Sequence, residues 1–370
     1  MENATVALVH DWLTGQRGGE KVLEVFAEIF PDAPIYTLFH FPGSQIEDIG
    51  RHIIRTSFLQ KMPFMKKKYR WYLPLFPLAV ELLDFQDFDL ILSSSHCVAK
   101  GAIPSPDALH ISYIHSPVRY AWNQYFAYFS PEKLGIFSRR LVPPMIHRLR
   151  QWDVTSTSRV DHFLANSRTV ARRVYRYYRR EAEVVYPPVD TEYFKPSGHH
   201  GDYYLLVSAL VPYKRIDLAV SAFNLNGWKL KIVGKGPDYK KLKKKANKNI
   251  EFLGFLSPQA LLQAYQGAKA LLMPGEEDFG INSLEAQACG VPVVAYGRGG
   301  ATETIIPQET GFFFAESTAE SLQDALDKFQ TIPFNRSTIR ENARRFSRDK
   351  FKEKVSALFR KKWDEFQSKK

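Results

Sequence analysis

Cysteine is nearly absent: the 370-residue chain carries two, Cys97 and Cys289. Two thiols exclude a disulfide-stapled scaffold and a cysteine-rich zinc site, and each is expected to serve as a small buried apolar residue in a reducing compartment. Long hydrophobic runs are also missing. The greasiest stretch, residues 71–80, is interrupted by Pro74 and Pro77 and falls well short of the about 20 residues needed to cross a bilayer. The amino terminus reaches Asp11 before any signal-peptide core develops, so no secretory leader is expected. Glycine (21) and proline (22) stand at ordinary frequencies, which excludes collagen-like and low-complexity chains. Acids are the minority, 39 against 51 Lys and Arg, for a formal charge of +12. That surplus points to an anionic partner: nucleic acid, acidic lipid or a phosphate-bearing substrate.

What is present is the material of a folded protein, with 45% hydrophobic and 14% aromatic residues. At roughly 150 residues per domain the length predicts two domains. Residues 4–9, 89–95, 110–115 and 163–166 read as short buried strands, and 184–186 leads into Pro187-Pro188. A helix with Val22, Leu23, Phe26 and Ile29 on one face follows the first strand, and another runs from Ser167 towards Tyr178. The alternation restarts beyond a linker at residues 187–202, with strands at 203–209, 229–233, 250–253, 270–273 and 292–295 and a helix at 216–223. Strand and helix in turn predict parallel sheets wrapped by helices. The expected division is residues 1–190 and 191–346, with an amphipathic carboxyl-terminal helix within 347–370 packing back on the first. Its Phe351, Val355, Phe359 and Trp363 recur at i, i+4 spacing. Ligands of such folds bind outside the carboxyl ends of the strands, so a cleft between the two sheet edges is expected.

Residues 273–305 carry the most chemistry. A strand ends at Met273, a polar loop follows, and a helix starts near Ile281 or Asn282. Amides around Gly280 and Ile281 at that start carry roughly half a positive charge and suit a phosphate. Glu277 precedes the helix and Glu285 lies about one turn inside it. Carboxylates on both sides of an anion site fit a nucleotide-sugar, with Glu285 accepting from ribose hydroxyls and Glu277 from the sugar. Two helix-start acids that simply favour the dipole fit the same spacing.

Two Glu separated by seven residues, then Ala286 to Ala295 and Gly299-Gly-Ala-Thr-Glu303, resemble the donor-site signature of family-4 glycosyltransferases of the GT-B fold. The resemblance covers most of the chain, through Gly18-Gly19-Glu20, His115-Ser-Pro, Ala165-Asn-Ser167, Tyr186-Pro-Pro-Val-Asp190, Val211-Pro-Tyr-Lys214 and Val233-Gly-Lys-Gly-Pro237. It implies an α/β protein with two Rossmann-like, doubly wound domains facing across a cleft. It also implies a retaining hexosyltransferase that takes a nucleoside-diphosphate sugar as substrate and needs neither metal nor cofactor. The donor would lie among Lys214, Arg215, Gly234, Glu277, Phe279, Gly280, Ile281 and Glu285, with Lys214, Glu277 and His115 nearest the reacting centre. Gly18 and Gly19, with His10 and Asp11, would form an acceptor or phosphate loop, and a capping role for Asp11 is equally open. One departure is Ser208-Ala209, where many members have Gly-Arg. Lys214 would then carry more of the diphosphate charge, helped by Arg298 or by Arg215 in the place of the missing arginine.

The segments His10-Asp-Trp12, Arg17-Gly-Gly-Glu20, His115 to Trp122 and Ser208 to Lys214 most resemble an O-antigen-type mannosyltransferase branch. That tilts the donor to GDP-mannose and the acceptor to a lipid-linked glycan or polysaccharide at the inner face of the cytoplasmic membrane. The segment Lys66-Lys67-Lys68-Tyr-Arg70-Trp71-Tyr72, after Phe58, Met62, Phe64 and Met65, pairs cations with interfacial aromatics and predicts contact with an anionic membrane. A second cluster comprises Arg168, Arg172, Arg173, Arg176, Arg179 and Arg180. No RNA- or DNA-binding motif accompanies either, so nucleic acid is not expected. Two rivals remain: a GT-B nucleotide-sugar epimerase and a non-catalytic membrane-binding module of the same fold. An NAD enzyme is disfavoured, because residues 15–19 do not spell the dinucleotide glycine fingerprint.

Overall fold

The computed structural model describes residues 4–15, 18–43, 47–129, 135–198 and 201–370; Arg17 of the glycine turn and positions 199–200 of the expected linker lie outside these. The chain divides into two compact units. The first comprises Met1–Pro188 with Phe351–Lys370, the second Val189–Lys350.

The first unit is built on seven parallel strands: β1 (Val6–His10), β2 (Ile35–Thr37), β3 (Ile54–Thr56), β4 (Leu90–Ser95), β5 (Leu109–Ile114), β6 (His162–Ala165) and β7 (Ala182–Val184), in the order β3-β2-β1-β4-β5-β6-β7. Every residue of β1, β4 and β5 is buried. Helices cover both faces of such a sheet, which is why these strands read as continuous apolar runs instead of alternating ones. The serines at the end of β4 are tolerated inside because they are bonded, as with Ser93 Oγ, 2.8 Å from both Ser112 Oγ and His110 Nε2. The last helix, Arg348–Gln367, buries Phe351, Val355, Leu358 and Phe359 against Val22, Phe26 and Tyr113 of this unit. Phe26 meets the Phe359 ring edge-on at 5.3 Å.

The second unit has six parallel strands: β8 (Tyr203–Val207), β9 (Leu230–Val233), β10 (Ile250–Gly254), β11 (Ala268–Met273), β12 (Val293–Tyr296) and β13 (Gly311–Phe314), in the order β10-β9-β8-β11-β12-β13. Within the expected linker the units divide between Pro188 and Val189, and just beyond that division Val189, Thr191 and Phe194 are buried while the residues between them are exposed. Val189 donates its amide to the Phe346 carbonyl at 2.9 Å, and buried Phe194 meets Tyr265 edge-on. In both sheets the chain order reverses beside the first strand, between β1 and β4 and between β8 and β11. Connections then leave in opposite directions, opening a crevice at the carboxyl ends of those strands.

Candidate functional site

In the second unit the site residues gather at that crevice. A short turn, Pro212–Lys214, follows β8, and Arg215 at φ +51° starts the helix Ile216–Asn226. The loop after β11 comes close, since a Cβ on Gly275 would stand 2.7 Å from Lys214 Cα. This approach lets Lys214 Nζ form an ion pair with Glu277 Oε2, both side chains being largely buried. Glu277 is also held through its backbone, accepting the Gly300 amide at 2.7 Å. Gly280, at φ +83°, begins the helix Ile281–Ala288, and a Cβ there would lie 3.4 Å from Glu277 Cβ. Ammonium, carboxylate and helix start are therefore neighbours. Among the described residues no side chain caps this helix, so amides of its first turn keep their partial positive charge for an incoming anion. Asn282 Nδ2 donates to the Val207 carbonyl at 2.6 Å and ties the helix start to the end of β8.

The other residues expected on the donor side fall in varied places. Gly234 (φ +133°) lies against the Ser208 carbonyl, where any Cβ would collide at 1.9 Å. Phe279 is buried and packs near Phe346 with centroids 6.0 Å apart. Glu285, in the second turn of its helix, is also buried, and Tyr265 Oη donates to its Oε2 at 2.8 Å. Arg215 is drawn away from the Lys214–Glu277 pair. Its guanidinium bonds Asp217 through Nε (3.2 Å) and Nη2 (3.3 Å), and Ser317 Oγ through Nη1 (2.6 Å). A carboxylate two residues away and a serine 102 positions away thus hold the Arg215 guanidinium. Arg298 packs over the Tyr296 ring at 5.7 Å.

In the first unit, His10 ends β1 and His115 follows β5. Ser94 Oγ, at the end of β4 between them, lies 3.1 Å from His10 Nδ1 and 2.8 Å from His115 Nε2. The helix Gly18–Ile29 begins against the same pair: a Cβ on Gly19 would stand 3.4 Å from His10 Cε1 and 3.5 Å from His115 Nε2. Burial, reinforced by the neighbouring His96, lowers the His10 pKa to about 4 and holds that of His115 well below its usual value. Both rings are neutral at pH 7. Asp11 caps the turn after β4. Its Oδ2 accepts the amides of His96 (2.6 Å) and Cys97 (2.9 Å), and its Oδ1 those of Val98 (2.5 Å) and Ala99 (2.8 Å). With His96 Nδ1 at 3.1 Å as well, its oxygens are occupied by the turn after β4. Ser94 was missed in the sequence, although three serines closing a buried strand were a visible signal.

His110 is buried too, and its pKa falls to about 4, chiefly by burial. His10 and His110 therefore take up protons on unfolding once the pH drops below the ordinary value of 6.5. Their contribution to stability is complete above pH 6.5 and is lost progressively as the pH falls towards 4. Denaturation midpoints measured from pH 7.5 to 4.5 should decline accordingly. In His110→Asn, which keeps a donor for the Arg159 carbonyl bonded by His110 Nδ1, the decline should be shallower; an unchanged slope would contradict the assignment.

The basic segment of the first unit forms the short helix Met65–Lys68 and the turn Tyr69–Leu75. Met65 is its buried anchor, while Lys66, Lys67, Lys68 and Arg70 are exposed, as are Phe64 (74%) and Trp71 (71%). Lys68 Nζ sits 3.8 Å from the Trp71 ring centre. In the arginine helix, Arg168–Tyr178, exposed Arg168, Arg172 and Arg176 face away from buried Val170, Val174 and Tyr178. Arg180 instead bonds the carbonyls of Thr157 and Val160. Among the described residues no helix is long and apolar enough to cross a membrane.

Residues 32–193 match the family described as Glycosyltransferase Family 4, and residues 190–346 match Glycosyl transferases group 1. Between them the two matches span most of the chain, which belongs to the family-4 glycosyltransferases. An uncharacterized glycosyltransferase of Methanocaldococcus jannaschii is 27% identical over 215 residues, covering 57% of this chain and 61% of that protein. A GDP-mannose-dependent monoacylated alpha-(1-6)-phosphatidylinositol monomannoside mannosyltransferase of Corynebacterium glutamicum is 36% identical over 121 residues, covering 30% of this chain and 32% of that protein. The chain thus matches less than two thirds of either relative's length. Its architecture is that of a sucrose-phosphate synthase from Thermosynechococcus elongatus, with TM-score 0.73, 16% identity, and coverage of 98% of this chain and 100% of that one. It is also that of Anabaena HepE in complex with UDP and glucose, with TM-score 0.70, 17% identity, and coverage of 96% and 99%. The shared fold is GT-B.

Proposed function

We propose that the protein transfers a hexose, mannose from GDP-mannose, to a lipid-linked or polysaccharide acceptor with retained anomeric configuration. The observation that carries this reading is the Lys214–Glu277 pair set against the uncapped start of the helix Ile281–Ala288. As the sugar–phosphate bond breaks, negative charge grows on the departing diphosphate. Amides of the first helical turn and the Lys214 ammonium are already in place to receive it, so little reorganisation remains for the transition state. At about 4 Å and an effective dielectric near 20, one ammonium and one phosphate charge attract by about 4 kcal/mol, less desolvation. Glu277 holds the ammonium and offers its carboxylate to sugar hydroxyls; neutral His115, fixed by Ser94, can exchange a hydrogen bond with a sugar hydroxyl without adding charge. No step calls for a metal. GDP-mannose is favoured by the motif resemblance and by the mannosyltransferase relative, whereas HepE was solved with UDP.

Thermal unfolding with added nucleotide tests the base, because a ligand at 100 times its Kd stabilises the fold by about 2.7 kcal/mol. GDP should raise Tm more than UDP, and GDP-mannose should be consumed when glycolipid acceptor is supplied. A larger shift with UDP would overturn the mannose donor.

The same reading places the protein on the cytoplasmic membrane face through Lys66, Lys67, Lys68, Arg70 and Trp71. Exposed cations beside exposed aromatics suit an anionic interface. Replacing Lys66, Lys67 and Lys68 by Glu should abolish co-sedimentation with anionic vesicles at low salt while GDP binding persists; undiminished co-sedimentation would remove the assignment.

A further inference from the structure

The second unit carries a basic face that neither the donor site nor the 66–71 segment uses. Between β9 and β10 runs the seven-residue helix Tyr239–Lys245, with Lys240, Lys241, Lys243, Lys244 and Lys245; Lys235 and Lys248 flank it. Asp238 is the only acid between those two flanking lysines. All seven lysines are exposed, and among the described residues none pairs with a carboxylate. One side chain, Leu242, buries the helix in the core. Like charges at i, i+4, as Lys240–Lys244 and Lys241–Lys245, disfavour a helix, so an external counter-charge would relieve a standing repulsion.

Apolar groups are exposed beside these cations. Gly254 takes φ +68° at the end of β10, and Phe255 leaves the sheet 76% exposed, with Lys235 Nζ 6.0 Å from its ring centre. Lys243 Nζ lies 5.4 Å from the Phe252 ring, against which Tyr239 packs edge-on. On the adjoining helix Ile216–Asn226, Asn224 Nδ2 donates to the Lys245 carbonyl at 2.7 Å, and its neighbour Leu225 is 75% exposed. Unpaired ammonium groups ringed by Phe255, Tyr239 and Leu225 match the chemistry of an interfacial membrane contact, in which cations meet anionic headgroups and apolar tips enter the acyl boundary. A soluble polyanion without bases, such as polyphosphate, would be served by the lysines alone and has no use for the exposed rings.

We infer that this lysine face of the second unit is a second docking surface, and that its occupant is an anionic phospholipid surface. The test uses the full chain and vesicles of zwitterionic lipid containing 30% anionic phospholipid. The variant K240E/K241E/K244E/K245E should lower the vesicle partition coefficient by about 100-fold or more, since one lysine near a charged surface contributes roughly a factor of five. The neutral variant K240Q/K241Q/K244Q/K245Q, which adds no new repulsion, should lower it by at least about 10-fold. Phe255→Ser should lower it several-fold at unchanged charge. All three should bind GDP like the parent chain, which separates this inference from the donor-site reading. Unchanged partition in both lysine variants would overturn it. So would wild-type partition in Phe255→Ser together with loss of soluble polyphosphate binding in the lysine variants, the pattern of a soluble polyanion.

Discussion

Replacing Lys214 by alanine is expected to slow sugar transfer by roughly two to three orders of magnitude, the range for losing one preorganised charge-stabilising donor. Two losses coincide in that variant. The departing diphosphate forfeits an ammonium, and the Glu277 carboxylate, now without its cation, turns its own charge on the same anion. Lys214→Arg should recover part of the rate, because the charge returns on a broader planar group that cannot reproduce a compact ammonium. Steady-state kcat/KM with donor varied at fixed acceptor measures both. A Lys214→Ala enzyme with near-parental kinetics would refute the assignment of the diphosphate to this corner.

The largest effect on stability is expected inside the first unit. Lys100 (1% exposed) and Asp153 (fully buried) form an ion pair at 2.9 Å. Lys100 Nζ also donates to the Asp153 carbonyl at 2.8 Å and to Ser156 Oγ at 2.6 Å. The second carboxylate oxygen accepts Trp122 Nε1 at 2.7 Å and Tyr178 Oη at 2.8 Å. The network thereby joins the turn Ala99–Gly101 to the helices Ile136–Thr155 and Arg168–Tyr178. Removing one partner of a buried pair strands the other charge, which costs about 3–5 kcal/mol. Lys100→Met should lose that much in urea unfolding. Adding Asp153→Asn to it should restore a substantial part, since an amide leaves no charge uncompensated. A loss below about 1 kcal/mol in the single variant would mean the pair is dispensable.

The parallel sheets could be read from the sequence because strands buried on both faces are short apolar runs ending in turns, as at β4, β5 and β11. Strands of three residues, β2 and β3, are too brief to show any period, and neither was recognised. The helix Ile136–Thr155 contains Pro143 and Pro144, residues that ordinarily argue against a helix interior. At the site, the spacing of Glu277 and Glu285 placed one acid before the helix and one inside it, because a helix start is a local event. Partnerships across the fold were not legible. The amides that occupy Asp11 come from residues 96–99, and Ser317, which holds Arg215, lies 102 positions away. Tyr265 on Glu285 is another such partner, brought there only by tertiary packing.

The central claim is that the start of the helix Ile281–Ala288, with Lys214 beside it, is where diphosphate binds. A crystal structure of the protein with GDP tests it most directly. The β-phosphate should rest within hydrogen-bonding reach of the first-turn amides and the Lys214 ammonium; a nucleotide seated on other residues of the chain would contradict the account.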